Sequence, residues 1–206
     1  MARPKAPLLS REIIARAAIE LVEEGHELQV VPLAERLGVS TSSLYHHVEG
    51  RVGIVHAIRE VLGEEYSLTP VPSSSWEETV RKSTHTLWRL YGDHPKVMPL
   101  LLSVVITEPT TVDFYTLIID ALDEAGIPED EQLSTVEMLD AFAFGVALDA
   151  LSPDLIFEPS GEHERLNRLI RKHPSGRERN ALLFERGLDV IVLGIRERAR
   201  LAALGA

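Results

Sequence analysis

Between Thr41 and His47, six of seven positions carry a side chain that donates or accepts hydrogen bonds: Thr41, Ser42, Ser43, Tyr45, His46 and His47. Hydroxyl, phenol and imidazole groups at this density suit the polar edges of bases and the oxygens of phosphates. Apolar Leu33, Ala34 and Leu37 precede them, Gly38 intervenes, and Val39, Leu44 and Val48 run among them. That spacing predicts a short helix, a glycine turn and a second short helix from Ser40 to Val48, with the polar groups left outside. A helix-turn-helix presents itself to a DNA groove in this way.

Other reactive side chains point to no catalysis. His85, His94, His163 and His173 accompany scattered carboxylates, without a nucleophile elbow or a His-x-x-x-His pair. Neighbours such as His46 and His47 project about 100° apart on a helix, which is poor geometry for sharing a metal. With no cysteine in the chain, thiolate sites and disulfides are excluded. We therefore expect no enzyme activity, no cofactor and no metal.

The elements that position the motif read as helix throughout. Ser10 is an N-cap signature before an apolar stripe of Ile13, Ala17 and Leu21, and Gly25 stops that helix. Pro32 fits the first turn of a second helix, and Ile54, Val55, Ile58 and Leu62 outline a fourth. A Pro/Ser segment from Leu68 to Ser75 separates this head from a larger body. Further helices are predicted near 76–91, 95–106, 109–125, 129–151, 163–172 and 177–204, with a polar stretch at 152–163. The expected fold class is all-α: an N-terminal three-helix head over residues 1–50, a connecting helix over 51–67, and a helical ligand-binding and dimerisation domain over 68–206. Hydrophobic residues make up 45% of the 206, but no apolar run reaches the roughly 18 residues of a membrane span. The N-terminus lacks the apolar core of a secretory signal, which with the absent cysteines suits the cytoplasm.

Charge limits how the motif can work. The chain carries a formal net charge of −11, so DNA binding has to be local and geometric rather than a general polycationic attraction. Residues 1–66 hold seven Lys or Arg against ten Glu, yet four of those cations and one Glu fall within residues 1–16. An N-terminal arm with Arg3 and Lys5 is the expected compensation, reaching phosphates or the minor groove.

The run Ala18–Gly25, followed by Leu33–Val39 and Leu44–Val48 in a head that precedes a helical body, resembles the TetR family of repressors over the whole chain. The resemblance makes Ser40–Val48 the recognition helix. It implies that Thr41 and Ser42 face base edges, that Ser43 donates to a phosphate, and that Tyr45 lies against the backbone or a thymine methyl. His46 and His47 would add contacts. This chain departs from the family where a lysine usually follows the helix: Glu49 and Gly50 stand there, and Arg51 keeps a cation in that corner.

Two further expectations concern the body. The second half of the 129–151 helix and much of the last helix are apolar nearly all round, which calls for a partner on a second side. A four-helix homodimer interface is expected, with Phe144, Leu148, Gly187, Ile191 and Gly194 in it. The resemblance also implies a small-molecule effector, mostly apolar or aromatic, with Ser83, Leu87, Trp88, Met98, Phe114, Met138 and Phe142 as candidate liners. Segments around Trp76, Glu108-Pro109-Thr110 and Phe144-Gly145 are similar to the tetracycline-binding subgroup, and Asp149 matches an acidic residue there. Met98 stands where that subgroup has a metal-binding histidine, so neither tetracycline nor magnesium is carried over. The expected function is a ligand-responsive regulator, a repressor that binds a near-palindromic double-stranded DNA operator as a dimer and is released by a small molecule. The acidic head keeps open a second reading, a sensor or protein-binding module of this fold without operator binding.

Overall fold

The computed structural model describes residues 9–69, 73–158 and 161–205, which form helices and their connections with no strand among them. The helices are α1 (Arg11–Glu23), α2 (Val30–Leu37), α3 (Thr41–Tyr45), α4 (Gly50–Glu65), α5 (Trp76–Asp93), α6 (Met98–Leu102), α7 (Pro109–Ala125), α8 (Glu129–Asp149), α9 (Glu164–Lys172) and α10 (Gly176–Gly205). Among the described residues, no helix is long and apolar enough to cross a membrane.

The N-terminal unit contains α1 to α4, and the packing adds residues 94–114 to it. Its helices start and stop where local chemistry dictates. Ser10 caps α1 by accepting from the Ile13 N–H at 3.2 Å. Gly38 ends α2 at φ 66°, a left-handed conformation that a side chain would strain. Ser40 then caps α3 by accepting from the Ser43 N–H at 3.2 Å. Ile14, Ala18, Leu33, Leu44, Ile54, Val55 and Ile58 are fully enclosed and form the core.

Two elements are shorter than the sequence implies. The recognition helix is regular only over Thr41–Tyr45, and His46–Val48 continue as a turn. Serine is a weak helix former, and Leu44 and Val48 are both drawn into the core, so the chain closes rather than propagating. The helix expected over 95–106 is confined to Met98–Leu102. Its following carbonyls are taken by a side chain instead of by helix N–H groups, as described below. The sequence division at residues 50 and 67 does not anticipate this return of 94–114 to the N-terminal unit.

The second unit comprises α5, α8, α9, α10 and α7 from Tyr115 onward. Helix α5 packs chiefly on α8, and α10 packs on both. Val80, Leu87, Leu122, Leu139, Ala143, Phe184 and Leu188 make its core. The expected polar stretch after α8 carries three large exposed apolar side chains, Leu155, Ile156 and Phe157.

Candidate nucleic-acid interface

The turn between α2 and α4 carries the polar group predicted from sequence, on an apolar footing of Leu44 and Val48. Ser42, Tyr45 and His46 are exposed, and Thr41, Ser43 and His47 are half-buried. The Ser40 hydroxyl lies 2.8 Å from that of Ser42 and 2.9 Å from that of Ser43. Those two hydroxyls therefore begin with an internal partner, whereas Tyr45 offers 56% of its surface to solvent.

Cations around this face are mostly committed elsewhere. Arg11 pairs with Glu60 at 2.9 Å and also donates to the His47 carbonyl at 3.3 Å. Arg16 bridges Glu12 and Glu65, and Arg36 bridges Glu20 and Glu24. Arg51 is exposed and is the one cation among residues 9–69 without an ion pair. Arg3 and Lys5 lie outside the described residues. A polar cavity of about 440 Å³ sits behind the turn, lined by Tyr45, His46, His47, His56, Glu60 and Glu108 among others.

Sequence reasoning missed the most heavily bonded group of this unit. Arg59 is 6% exposed. It donates to both Glu108 oxygens at 2.8 Å and to the carbonyls of Leu101, Val104 and Val105 at 2.7, 2.8 and 3.2 Å. His56 Nδ1 lies 2.7 Å from the same carboxylate. Burial alone would raise the Glu108 pKa, but hydrogen bonds from Arg59, His56 and nearby backbone N–H groups hold it below the ordinary carboxylate value. A signal existed: Arg59 follows Val55 by four residues and Ile58 by one, inside the apolar stripe of α4, where a guanidinium has to find an acceptor.

The predicted effector liners sit in different surroundings. Ser83 and Leu87 are buried, and Trp88 stacks on Phe184 with ring centroids 4.3 Å apart. Phe142 also packs on Phe184, with ring centroids 5.7 Å apart. Met138 is 45% exposed. Met98 and Phe114 are buried but belong to the N-terminal unit. A largely apolar cavity of about 680 Å³ lies along α10, lined by Phe142, Phe157, Ile170, Leu183, Val190 and Ile191, with Arg186 also in its wall. Of the seven proposed liners, Phe142 alone is in it.

The proposed dimer residues are placed unevenly. Leu148 is 38% exposed, Phe144 is half-buried against Tyr91, and Gly187 and Ile191 line the cavity just described. Gly187 has a reason within its own chain, since a Cβ there would come within 2.5 Å of the Phe142 ring. Gly194 is exposed with open space around it.

Two polar clusters of this unit were not anticipated from sequence, which singled out Asp149 alone among their members. Tyr91 and Tyr115 both donate to Asp140 Oδ1, at 2.5 and 2.8 Å, and burial first, then this cluster, raises the Tyr91 pKa well above its ordinary value. Arg179 and Asn180 donate to Asp149 at 3.0 and 3.1 Å. Burial would raise the Asp149 pKa, but these donors hold it low. Asp149 is thereby satisfied without a ligand.

Comparison with known proteins bears on both units. Residues 69–199 match the family profile described as tetracyclin repressor-like, C-terminal domain. A transcriptional repressor, DrrR1 of Streptomyces coeruleorubidus, is 24% identical over 152 residues, covering 72% of this chain and 56% of that protein. The chain thus spans just over half the length of this curated relative. The apo structure of ActR from Streptomyces coelicolor aligns with a TM-score of 0.77 at 21% identity, over 96% of this chain and 99% of that one. ActR in complex with actinorhodin aligns with a TM-score of 0.71 at 19% identity, over 92% and 96%. At such identities the structures establish a shared fold.

Proposed function

Because the chain belongs to the tetracyclin repressor-like family of transcriptional regulators, we propose that it is a ligand-responsive repressor that binds a near-palindromic operator as a homodimer in the cytoplasm. One observation carries the DNA-binding part. A five-residue helix capped by Ser40 exposes Ser42, Tyr45 and His46 beside the unpaired cation of Arg51. Thr41 and Ser42 read base edges at the N-terminal end of that helix, and Ser43, His47 and Arg51 meet phosphates. The N-terminal segment with Arg3 and Lys5 adds phosphate or minor-groove contacts.

Exposed apolar residues on α10, Val190 at 68% and Leu193 at 57%, support two-fold pairing through α8 and α10. Phe144, Leu148, Gly187, Ile191 and Gly194 are proposed for that interface. For the effector we carry over an apolar, aromatic class from the fold shared with ActR, whose structure holds actinorhodin. Ser83, Leu87, Trp88, Met98, Phe114, Met138 and Phe142 remain the proposed contacts, Phe142 with the support of an apolar cavity at its side. Such a molecule acts only by favouring the arrangement that DNA does not.

Selection of duplex DNA from a random pool by the purified chain tests this reading. Enrichment of a near-palindromic site that a Thr41→Ala/Ser42→Ala variant does not enrich is the expected result. Equal enrichment by both, or none by either, overturns it. The ion-paired cations of α1 and α2 favour a second reading, a sensor that no longer binds an operator. The same selection separates the two, and mass spectrometry of compounds retained by the native protein identifies the effector in either case.

A further inference from the structure

Arg59 touches nothing that reads a base, yet its five hydrogen bonds hold a segment that little else holds. Residues 103–108, between α6 and α7, bury few side chains: Val105 is 79% exposed and Ile106 39%. Carbonyls of Leu101, Val104 and Val105 point to Arg59 in place of helix N–H groups. The segment is therefore fastened to α4 by polar bonds rather than by an apolar core.

Helix α4 is also fastened to the recognition turn. A Cβ on Gly53 would stand 3.2 Å from the Val48 backbone carbon, so the first turn of α4 lies directly on that turn. Arg11 joins Glu60 of α4 to the His47 carbonyl. One helix thus has two rigid attachments, His47–Val48 at one and residues 101–108 at the other. Helix α7 begins at Pro109, next to Glu108, so a displacement of its first turn moves the carboxylate that Arg59 grips.

We propose that Arg59 is a positioning residue for operator binding: through Glu108 it sets where α4 lies and so where the His47–Val48 turn is presented, with His56 as the reserve partner of that carboxylate. This rests on the operator-binding reading above. His56 Nδ1 is 2.7 Å from Glu108 and 3.4 Å from the Thr107 hydroxyl, and its side chain is 24% exposed, so it stands as a second partner of the carboxylate. The charged groups around the node are Arg11, Glu49 and Glu60, across the polar cavity, together with Arg59 itself, and Arg11 is occupied by Glu60.

The experiment uses the full chain and a duplex selected from a random pool by the wild-type protein, with affinities expressed as the ratio of variant to wild type. Arg59→Met is expected to weaken binding at least about tenfold. Adding His56→Ala, which removes the second partner of Glu108, should weaken it further. Affinity of Arg59→Met within about twofold of wild type overturns the proposal.

Arg59→Met leaves a buried carboxylate unpaired and can fail to fold. Arg59→Met/Glu108→Met removes both charges and is expected to recover the wild-type melting temperature while binding stays about tenfold weaker. Affinity within about twofold of wild type in this double variant shows a merely structural pair and overturns the proposal. Amide hydrogen exchange needs no DNA. In the double variant His47, Val48 and residues 101–108 should exchange about tenfold faster, with α1 unchanged, and unaltered exchange at His47 and Val48 overturns the proposal. Failure of the wild type to select any duplex defeats the operator reading instead, and exchange then decides the role of Arg59.

Discussion

Arg51 is the one cation among residues 9–69 without an ion pair, which makes it a residue on which the salt dependence of the proposed operator binding turns, beside Arg3 and Lys5 of the N-terminal segment. Arg51→Ala is expected to weaken operator binding uniformly across sequences and to reduce the salt slope by about one, read from affinities over a salt series. Glu108 makes a prediction on the acid side. Its pKa is lowered in the folded chain, so its stabilising contribution is complete above the ordinary carboxylate pKa and is lost as pH falls through the lowered one. Melting temperatures measured from about pH 5 to about pH 2 should therefore fall, and fall less steeply for Glu108→Gln, whose penalty is present at every pH. Polar residues of the recognition turn were legible in the sequence because their apolar neighbours fixed which way they face. Partners were not legible. Arg59 announces that it needs an acceptor, but 49 residues separate it from Glu108 and no local pattern links them.

Caps and crossings decide the elements. Ser40 both caps α3 and gathers the Ser42 and Ser43 hydroxyls, and a helix of five residues has few other bonds to fall back on. Ser40→Ala should cost about 1 kcal/mol of stability in denaturant titration. It should weaken operator binding more than a matched cap loss at Ser10→Ala, because α3 carries the side chains proposed to read bases. In α10, Gly187→Ala places a methyl against the Phe142 ring and should destabilise by about 1–3 kcal/mol. Phe142→Leu should relieve most of that loss, a coupling that a double-mutant cycle measures. The start of α1 at its Ser10 cap was readable from the sequence, as were the spans of the long α8 and α10 from the Pro and Gly residues that flank them. The lengths of α3 and α6 were not, because tertiary bonds end them: burial of Val48 in one case, the Arg59 guanidinium in the other.

For the whole molecule, the all-helical order was legible from apolar spacing alone, while the grouping of residues 94–114 with the N-terminal helices was not, since it depends on long-range packing. The body's apolar excess was equally plain in the sequence, and on α10 it stands out as exposed Val190 and Leu193. Val190→Lys/Leu193→Lys should convert the proposed dimer to a monomer in sedimentation analysis and abolish binding to a two-half-site operator, with helicity by circular dichroism unchanged. The commitment of Arg11, Arg16 and Arg36 to internal carboxylates has a consequence for search in the cell. If the chain acts as the proposed repressor, a head whose described residues have little spare positive charge would be held weakly by arbitrary sequence, so few copies would be sequestered across the chromosome. A small pool of molecules would then suffice to fill one site, and the concentration of effector needed to empty it would be correspondingly small.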